Sequence, residues 1–351
     1  MSKILFLTKQ VSGRGGMESV MKIVVNRWNE FCDSNDEVFL WIFDIRPKKS
    51  KDVAWLNEIK AAEVVAATSW ITPLRKLEWQ QRFAAFVRNY EPDIVICLDQ
   101  DSCRVAHQVR KKTLMSFKIF SWVHFSVDQL SHPEKLNYAD GHLALTEAIK
   151  DDLSLVVDGP VSVVYNPVDI EAEVIERSQN GCTNFLYMGR LLFDHYKCLK
   201  NMLEGLALVK GDWKLHFVGV GEEARCKEYA KDLGIEQHVI FHGWQADPWS
   251  YVKEQIKTID CSLLTSESEG LPMFIIESMA RGIPCIATSI TKGTIEDHVN
   301  GWLFEFGDNQ KMASLCQRLV DANPFEPGIV KATTKKFGLN AYFKRFEEAI
   351  K

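Results

Sequence analysis

The sequence predicts an α/β protein built from two doubly wound, Rossmann-like domains. Three observations carry that expectation. The chain has 351 residues, too many for one typical core and suited to two. Short apolar runs that read as buried strands alternate with segments of helical period along its whole length. The string Thr265-Ser-Glu-Ser-Glu-Gly-Leu-Pro-Met-Phe-Ile-Ile-Glu-Ser-Met-Ala-Arg-Gly-Ile-Pro-Cys285 condenses the pattern into strand end, loop, short helix, loop and next strand.

The first domain opens on the strand Lys3-Ile-Leu-Phe-Leu-Thr8. The glycine loop Ser12-Gly-Arg-Gly-Gly-Met-Glu18 follows, then a helix over 17–31 with Val20, Met21, Ile23, Val24 and Trp28 on its apolar face. Val38-Phe-Leu-Trp-Ile-Phe43 is the next strand, ending at Asp44. This βαβ unit raises a dinucleotide-binding reading, with Gly13 and Gly15 as the first two glycines and Asp44 on a ribose. The third glycine is missing, because position 18 is glutamate. The fitting alternative is that open amides at Gly15 and Gly16 approach a phosphate or an acceptor sugar. Helices over 76–90 and 104–112 and strands over 93–98, 117–122, 143–146 and 162–165 complete the first sheet. His124 follows directly after one of these strands, where ligand crevices of open sheets lie; a structural histidine is the competing reading.

Asn166-Pro-Val-Asp169 and the polar stretch to Thr183 read as the domain junction. The second domain starts on Asn184-Phe-Leu-Tyr-Met-Gly-Arg190, with Lys197 shortly before a helix beginning near Cys198. Trp213-Lys-Leu-His-Phe-Val-Gly-Val-Gly-Glu222 is a strand and glycine turn. Val239-Ile-Phe-His-Gly-Trp244 is a short strand, followed by a helix over 248–256. Asn300-Gly-Trp-Leu-Phe304 turns into a last strand. Residues 334–351 are largely helical, with Gly338 as a break and Asn340 as the cap of the final piece.

Composition narrows the function classes. The net charge is −5, which argues against general nucleic-acid binding. The first 168 residues balance 21 Lys+Arg against 21 Asp+Glu, and the remainder carries 21 against 26. Arg46-Pro-Lys-Lys-Ser-Lys51 and Arg110-Lys-Lys112 are local basic clusters. They read as solvated surface or, more sharply, as loose contact with an anionic acceptor or membrane face. Nine cysteines are scattered without metal spacing and read as buried thiols of a reducing cytoplasm. The opening apolar run is too short for a signal peptide, and no run reaches the length of a membrane span. The expected location is cytoplasmic, with a peripheral position at the inner membrane face as its extension.

The chemistry of the 265–285 string lies at its helix start. Amides of Met273 and Phe274 there are orphan donors, and with the helix dipole they form an anion site. Glu269 precedes the helix and Glu277 lies inside it. A carboxylate can hold a vicinal diol through two hydroxyls, so the spacing suits a sugar nucleotide.

These residues carry a family resemblance. Glu269 through Glu277 resembles the E-x7-E motif of the retaining glycosyltransferases of family 4, whose fold is GT-B, two Rossmann-like domains facing across a cleft. Within that family the chain is most similar to the lipopolysaccharide core 1,6-galactosyltransferases of enteric bacteria, on Val11-Ser-Gly-Arg-Gly-Gly-Met-Glu18, Phe120-Ser-Trp-Val-His-Phe-Ser126 and Gly243-Trp-Gln-Ala-Asp-Pro-Trp249. The resemblance implies an acceptor-side domain over 1–168, a donor-binding domain over 169–333, and a terminal helix over 334–351 that crosses back onto the first. It implies transfer of a hexose, galactose foremost, from a UDP-sugar to a lipopolysaccharide core sugar.

The resemblance also assigns roles. Gly15 and Gly16 face the donor pyrophosphate, and His124 lies by the donor sugar. Arg190 and Lys197 match the family's G-R-L…K element, two cations that neutralise the leaving diphosphate without a metal. Gly219 and Gly221 lie beside the nucleotide, and backbone groups of His242 and Gly243 read uracil. Glu269 takes the transferred sugar and Glu277 the ribose. No cofactor and no metal are expected; Asp99-Gln-Asp101 reads as the end of a strand rather than a metal motif. A UDP-glucose-dependent relative acting on capsule or O-antigen, a GT-B sugar-nucleotide epimerase and a non-catalytic partner subunit remain as alternatives.

Overall fold

The computed structural model describes residues 1–9, 15–32, 35–45, 54–291 and 293–351. The chain divides into two compact units, Met1–Pro167 with Leu339–Lys351, and Val168–Gly338.

In the first unit the strands are β1 (Lys3–Thr8), β2 (Glu37–Asp44), β3 (Ala62–Ala66), β4 (Ile94–Cys97), β5 (Lys118–Trp122), β6 (Gly141–Ala144) and β7 (Val161–Val163). They form one sheet in the order β3-β2-β1-β4-β5-β6-β7, parallel throughout. Helices α1 (Gly16–Phe31), α2 (Thr72–Tyr90), α3 (Gln100–Thr113) and α4 (Glu147–Ser154) connect them. A parallel sheet with crossover helices buries its strands on both faces. Accordingly β1 and β4 are apolar runs, from Ile4 to Leu7 and from Ile94 to Cys97, each residue at most 6% exposed. Chain order reverses between β1 and β4, which pair Ile4 with Ile94 through Leu7 with Cys97. Such a reversal leaves a ligand crevice beyond the strands' carboxyl ends.

The second unit repeats the plan. Its strands β8 (Thr183–Met188), β9 (Trp213–Val218), β10 (Val239–Phe241), β11 (Cys261–Leu264), β12 (Cys285–Thr288) and β13 (Gly301–Phe304) lie in the order β10-β9-β8-β11-β12-β13. Here the reversal falls between β8 and β11. The helices are α5 (Leu199–Leu206), α6 (Glu223–Asp232), α7 (Pro248–Tyr251), α8 (Met273–Ala280), α9 (Asn309–Asp321) and α10 (Pro327–Ala332).

The final helix, α11 (Leu339–Ile350), belongs to the first unit. Tyr342, Phe343, Phe346 and Ile350 are fully buried. Trp28 of α1 meets Phe343 and Phe346 edge-on at 5.9 and 5.6 Å, and Trp122 meets Phe346 at 5.0 Å. Offset aromatic pairs of this kind add to the area they bury.

Several boundaries differ from the sequence expectation for local reasons. Helix α3 begins at Gln100 rather than 104, because the Asp99 side chain accepts from the amides of Asp101 and Ser102 and caps it. Helix α2 begins at Thr72 with Pro73 in its first turn, a position proline favours. Residues 333–337 form a separate 3₁₀ turn of the second unit. Gly338 does break the terminal helix, but Asn340 lies inside α11 and does not cap it. Strand β3, an edge strand whose side chains are partly or largely exposed, was not anticipated. All nine cysteines are free, eight of them buried. Among the described residues no helix is long and apolar enough to cross a membrane.

Candidate functional site

The expected site residues of the second unit gather at the β8/β11 reversal. Beyond β8 the chain makes a tight return, with Tyr187 donating its hydroxyl to the Arg190 carbonyl at 2.9 Å. This return packs against the β9 exit at two glycines. A Cβ at Gly219 would strike the Gly189 carbonyl, and one at Gly221 the Leu191 carbonyl, so only glycine allows the two loops to approach. Gly189 and Leu191 donate to Val218 and Val220 at 3.0 and 2.9 Å. Gly219 and Gly221 are thus required by strand-end packing, whatever they face. Arg190 is exposed, and its guanidinium makes no ion pair or hydrogen bond among the described residues.

Lys197 and Glu269 are joined directly. The lysine Nζ donates to Glu269 Oε1, which also accepts from Ser266 Oγ at 2.7 Å. Their side chains are only 18% and 12% exposed, so solvent screens the pair weakly. Three further bonds bind the two loops together. Glu267 donates its amide to Tyr196 at 2.7 Å, and Thr265 Oγ1 reaches the carbonyls of Lys197 and Cys198 at 3.2 and 3.0 Å. Reading Glu269 for sugar and Lys197 for phosphate as separate contacts is therefore incomplete: each is the other's partner here, and Glu269 Oε2 is the oxygen left for a ligand.

Helix α8 starts at Met273, with Pro272 as its cap residue rather than its first helical residue. The Ile275 amide turns back to the Pro272 carbonyl at 3.1 Å. No side chain caps the end, so the Met273 and Phe274 amides are open donors. Glu277 accepts from Trp249 Nε1 at 2.9 Å. Arg281 stacks over the Trp249 ring at 4.2 Å and donates to the Glu277 carbonyl at 3.0 Å. Burial pushes the Glu277 carboxyl above the usual carboxylate range, against the Trp249 hydrogen bond and the Arg281 charge. Arg281 stands one helical turn beyond Glu277, a spacing that helix geometry could have flagged. Trp249 comes from another element, and no local pattern announces it.

His242 belongs to a chain of four groups. Tyr251 Oη lies 3.1 Å from His242 Nδ1, His242 Nε2 lies 3.0 Å from His216 Nδ1, and His216 Nε2 lies 3.2 Å from Asn184 Oδ1. Asn184 donates its amide to Thr258, which fixes Oδ1 as an acceptor. With both rings neutral, each donor and acceptor role then follows in one direction. Burial holds both histidines below their usual value, His216 at about 4. The Gly243 carbonyl accepts from Gly219 and the His242 carbonyl from Gln245, while the Gly243 N–H is without an acceptor among the described residues.

In the first unit, Gly15 caps α1 without a side-chain bond, and the helix's own bonds begin with the Ser19 amide on the Gly15 carbonyl, so the Gly16 and Met17 amides have no acceptor among the described residues. Gly13 and Arg14 lie outside the described residues, as do Arg46 to Lys51 and Lys292. His124 follows β5 and lines a cavity of about 180 Å³ with Lys9, Asp99, Gln100 and Ser131. Its ring lies 4.3 Å from that of Trp122, and burial lowers its pKa to about 3, so it is a neutral imidazole at pH 7. His124 Nε2 and Gln100 Oε1 are buried without partners among the described residues; buried polar atoms of this kind are normally satisfied. Gln100 was not foreseen as a lining residue. Asp99 and Asp101 do more than end a strand. Asp99 caps α3, and Asp101 binds Lys135 at 2.9 Å and also Lys9 at 2.6 Å. Burial raises the Asp101 carboxyl, but these lysine contacts outweigh it and hold it at about 2. Among the described residues no three His, Cys, Asp or Glu side chains are grouped to hold a metal.

Comparison with known proteins follows this geometry. The family described as glycosyl transferases group 1 matches residues 182–322, the span that holds the β8/β11 cluster. The chain is 37% identical to the lipopolysaccharide 1,6-galactosyltransferase of Salmonella typhimurium over 99% of its length and 98% of the relative's. The protein lies in that family. It is 33% identical to the Escherichia coli lipopolysaccharide 1,6-galactosyltransferase, over 99% and 98% of the two chains. The apo structure of the lipopolysaccharide outer core galactosyltransferase WaaB matches with a TM-score of 0.88 at 36% identity, covering 99% of both chains. Anabaena HepE, solved with UDP and glucose, shares the fold at a TM-score of 0.78 and 19% identity, over 99% of both chains. The fold is therefore GT-B and the protein a glycosyltransferase, as the E-x7-E string and the two-domain pattern implied.

Proposed function

We propose that this protein transfers galactose from UDP-galactose to a sugar of the lipopolysaccharide core, with retention of anomeric configuration and without a metal or cofactor. The observation that supports it best is the grouping of Arg190, Lys197, Glu269, Glu277 and the open end of α8 around one strand reversal. The diphosphate lies on the Met273 and Phe274 amides, with Arg190 and Lys197 as its counter-charges. Glu277, held by Trp249, takes the ribose hydroxyls, and Glu269 takes the hydroxyls of the hexose. Gly243 N–H donates to uracil beside His242. On the first unit, the amides at Gly15 and Gly16 suit a phosphate oxygen, and the neutral His124 imidazole suits a sugar hydroxyl.

Neither glutamate is assigned as a covalent nucleophile in this reading, because both are given to holding the donor. Transfer then proceeds on one face of the sugar, and the departing phosphate oxygen takes the proton of the attacking acceptor hydroxyl. The protein's share of the work is to stabilise charge developing on the leaving UDP. The enzyme works in the cytoplasm, at the inner membrane face where its lipid-linked acceptor lies.

Incubation with a panel of UDP-sugars and truncated core oligosaccharides tests this reading. Transfer confined to UDP-galactose, with an α-linked product by NMR coupling constants and full activity in EDTA, supports it. A β-linked product overturns retention, and turnover of UDP-sugar without acceptor makes the protein an epimerase instead.

A further inference from the structure

We propose that the start of α2 is a membrane-docking surface that seats the first unit in the interface of an anionic bilayer. Trp70, Ile71, Leu74 and Leu77 are 64%, 60%, 50% and 46% exposed. Such a run of large apolar side chains on a surface marks an interaction site. Trp79, Phe83 and Val87, deeper in the same helix, point into the core and are at most 3% exposed. At 100° per residue, Leu74 and Leu77 fall on the opposite side, so the helix carries a second, outward apolar face. Tryptophan and leucine on one side of a helix with cations beside them suit the boundary between headgroups and acyl chains.

The charge around the patch selects the occupant. Around the patch, from Thr68 to Arg82, the chain carries Arg75, Lys76 and Arg82 against the single carboxylate Glu78, in a protein of net charge −5. Glu78 is occupied by Arg82 at 2.9 Å and by the Thr68 amide at 3.0 Å. Lys76 is exposed and makes no ion pair among the described residues. A second copy docking through the same face would set these cations against themselves, as a two-fold contact pairs a patch with its own image. Anionic headgroups complement them.

Topology sets the direction. Crossover helices of a parallel sheet run antiparallel to its strands, so the start of α2 lies at the strands' carboxyl edge. His124 and its cavity lie at that same edge. The Arg110-Lys-Lys112 cluster, the other described basic stretch, sits at the far end of α3, a helix of 14 residues and so roughly 20 Å long. Its Arg110 is held by Asp140 and the Phe117 carbonyl. Docking through α2 therefore brings the crevice edge, rather than the opposite edge, toward the lipid surface. The lipid-linked acceptor supplies the reason for such an approach and rests on the proposed function. Vesicle binding needs neither donor nor acceptor, so its failure leaves the transferase reading standing.

The test is sedimentation of the full chain with phosphatidylcholine vesicles with and without phosphatidylglycerol. Binding is expected only with the anionic lipid. The double variant L74S/L77S should lose it by about tenfold or more, K76E severalfold, and K111E/K112E not at all. All these positions are exposed, and circular dichroism with transfer to a delipidated core oligosaccharide should match wild type. Unchanged vesicle binding in L74S/L77S, loss in K111E/K112E, or no binding by the wild type overturns the proposal. A dimer in light scattering that L74S/L77S disperses also overturns it, and assigns the face to a second copy.

Discussion

Lys197 and Glu269, 72 positions apart in sequence, share one hydrogen bond across the β8/β11 reversal. Both side chains are largely buried, so removing either leaves its partner's charge poorly solvated. Lys197→Ala and Glu269→Ala should each lower unfolding free energy by about 1–3 kcal/mol, and the double variant by clearly less than the sum. Denaturant unfolding of the four proteins measures the coupling. Strict additivity would show that the pair contributes nothing.

Turnover separates the two cations from the carboxylates. Among the described residues Arg190 makes no bond through its guanidinium, so Arg190→Ala should keep wild-type stability while kcat falls about 10²–10³-fold, the scale of one lost charge-stabilising donor. Lys197→Ala should show a similar kinetic loss together with the stability loss above. Steady-state kinetics beside thermal melts distinguishes them, and a near-normal kcat in both would remove the diphosphate assignment.

Glu269 and Glu277 should divide the donor. Calorimetry with UDP should find Glu277→Ala weakened about tenfold or more, from one lost hydrogen bond to a charged group at about 1.5–3 kcal/mol. Trp249→Phe, which removes the Nε1 donor holding that carboxylate, should weaken UDP severalfold. Glu269→Ala should leave UDP affinity nearly unchanged yet depress hexose transfer. Equal losses of UDP affinity in the two glutamate variants would sink the division.

The raised Glu277 carboxyl has a pH signature. Its native form binds a proton more readily than its unfolded form does. Burial of its charge therefore costs stability above the raised value, and that cost is relieved as pH falls through it. UDP affinity should move the other way and decline over the same window, above the range of an ordinary glutamate. Titration of UDP binding in Glu277→Gln, which should lose that limb, checks the assignment.

Three buried histidines act in the opposite sense on stability. Burial lowers His124 to about 3 and His142 and His216 to about 4. Below about pH 6.5 the unfolded chain takes up protons that the native rings refuse, so stability falls as pH drops. The slope is about 1.4 kcal/mol per pH unit for each histidine until its native value is reached. His142→Asn should flatten urea-derived stability between pH 6 and 4 by about that amount; an unchanged slope would mean the ring titrates freely in the native state.

Much of this was legible in the sequence for identifiable reasons. Buried parallel strands such as Ile4 to Leu7 and Cys261 to Leu264 are continuous apolar runs, which need no partner to be recognised. Glu269 and Glu277 stand in one string with the helix start between them. The ion pair of Glu269 with Lys197 was not legible, because it depends on which strands become neighbours at the reversal. The hydrogen bond from Trp249 to Glu277 was hidden for the same reason. The outward position of Leu74 and Leu77 was not legible either, because only the packed fold shows which face of α2 is covered.

The last helix has a consequence for how the protein is made. Phe346 of α11 completes the aromatic cluster with Phe6, Trp28 and Trp122, yet it follows the whole second unit in sequence. On the ribosome, the second unit is complete in sequence while the first still lacks its closing helix. The first unit therefore waits through the whole synthesis of the second with the cluster around Trp28 and Trp122 unclosed, and closes only once α11 has been made. Its beginning is synthesised first, but its core is sealed after the second unit, so a chain truncated before Leu339 would carry a finished second unit and an aromatic surface open to aggregation.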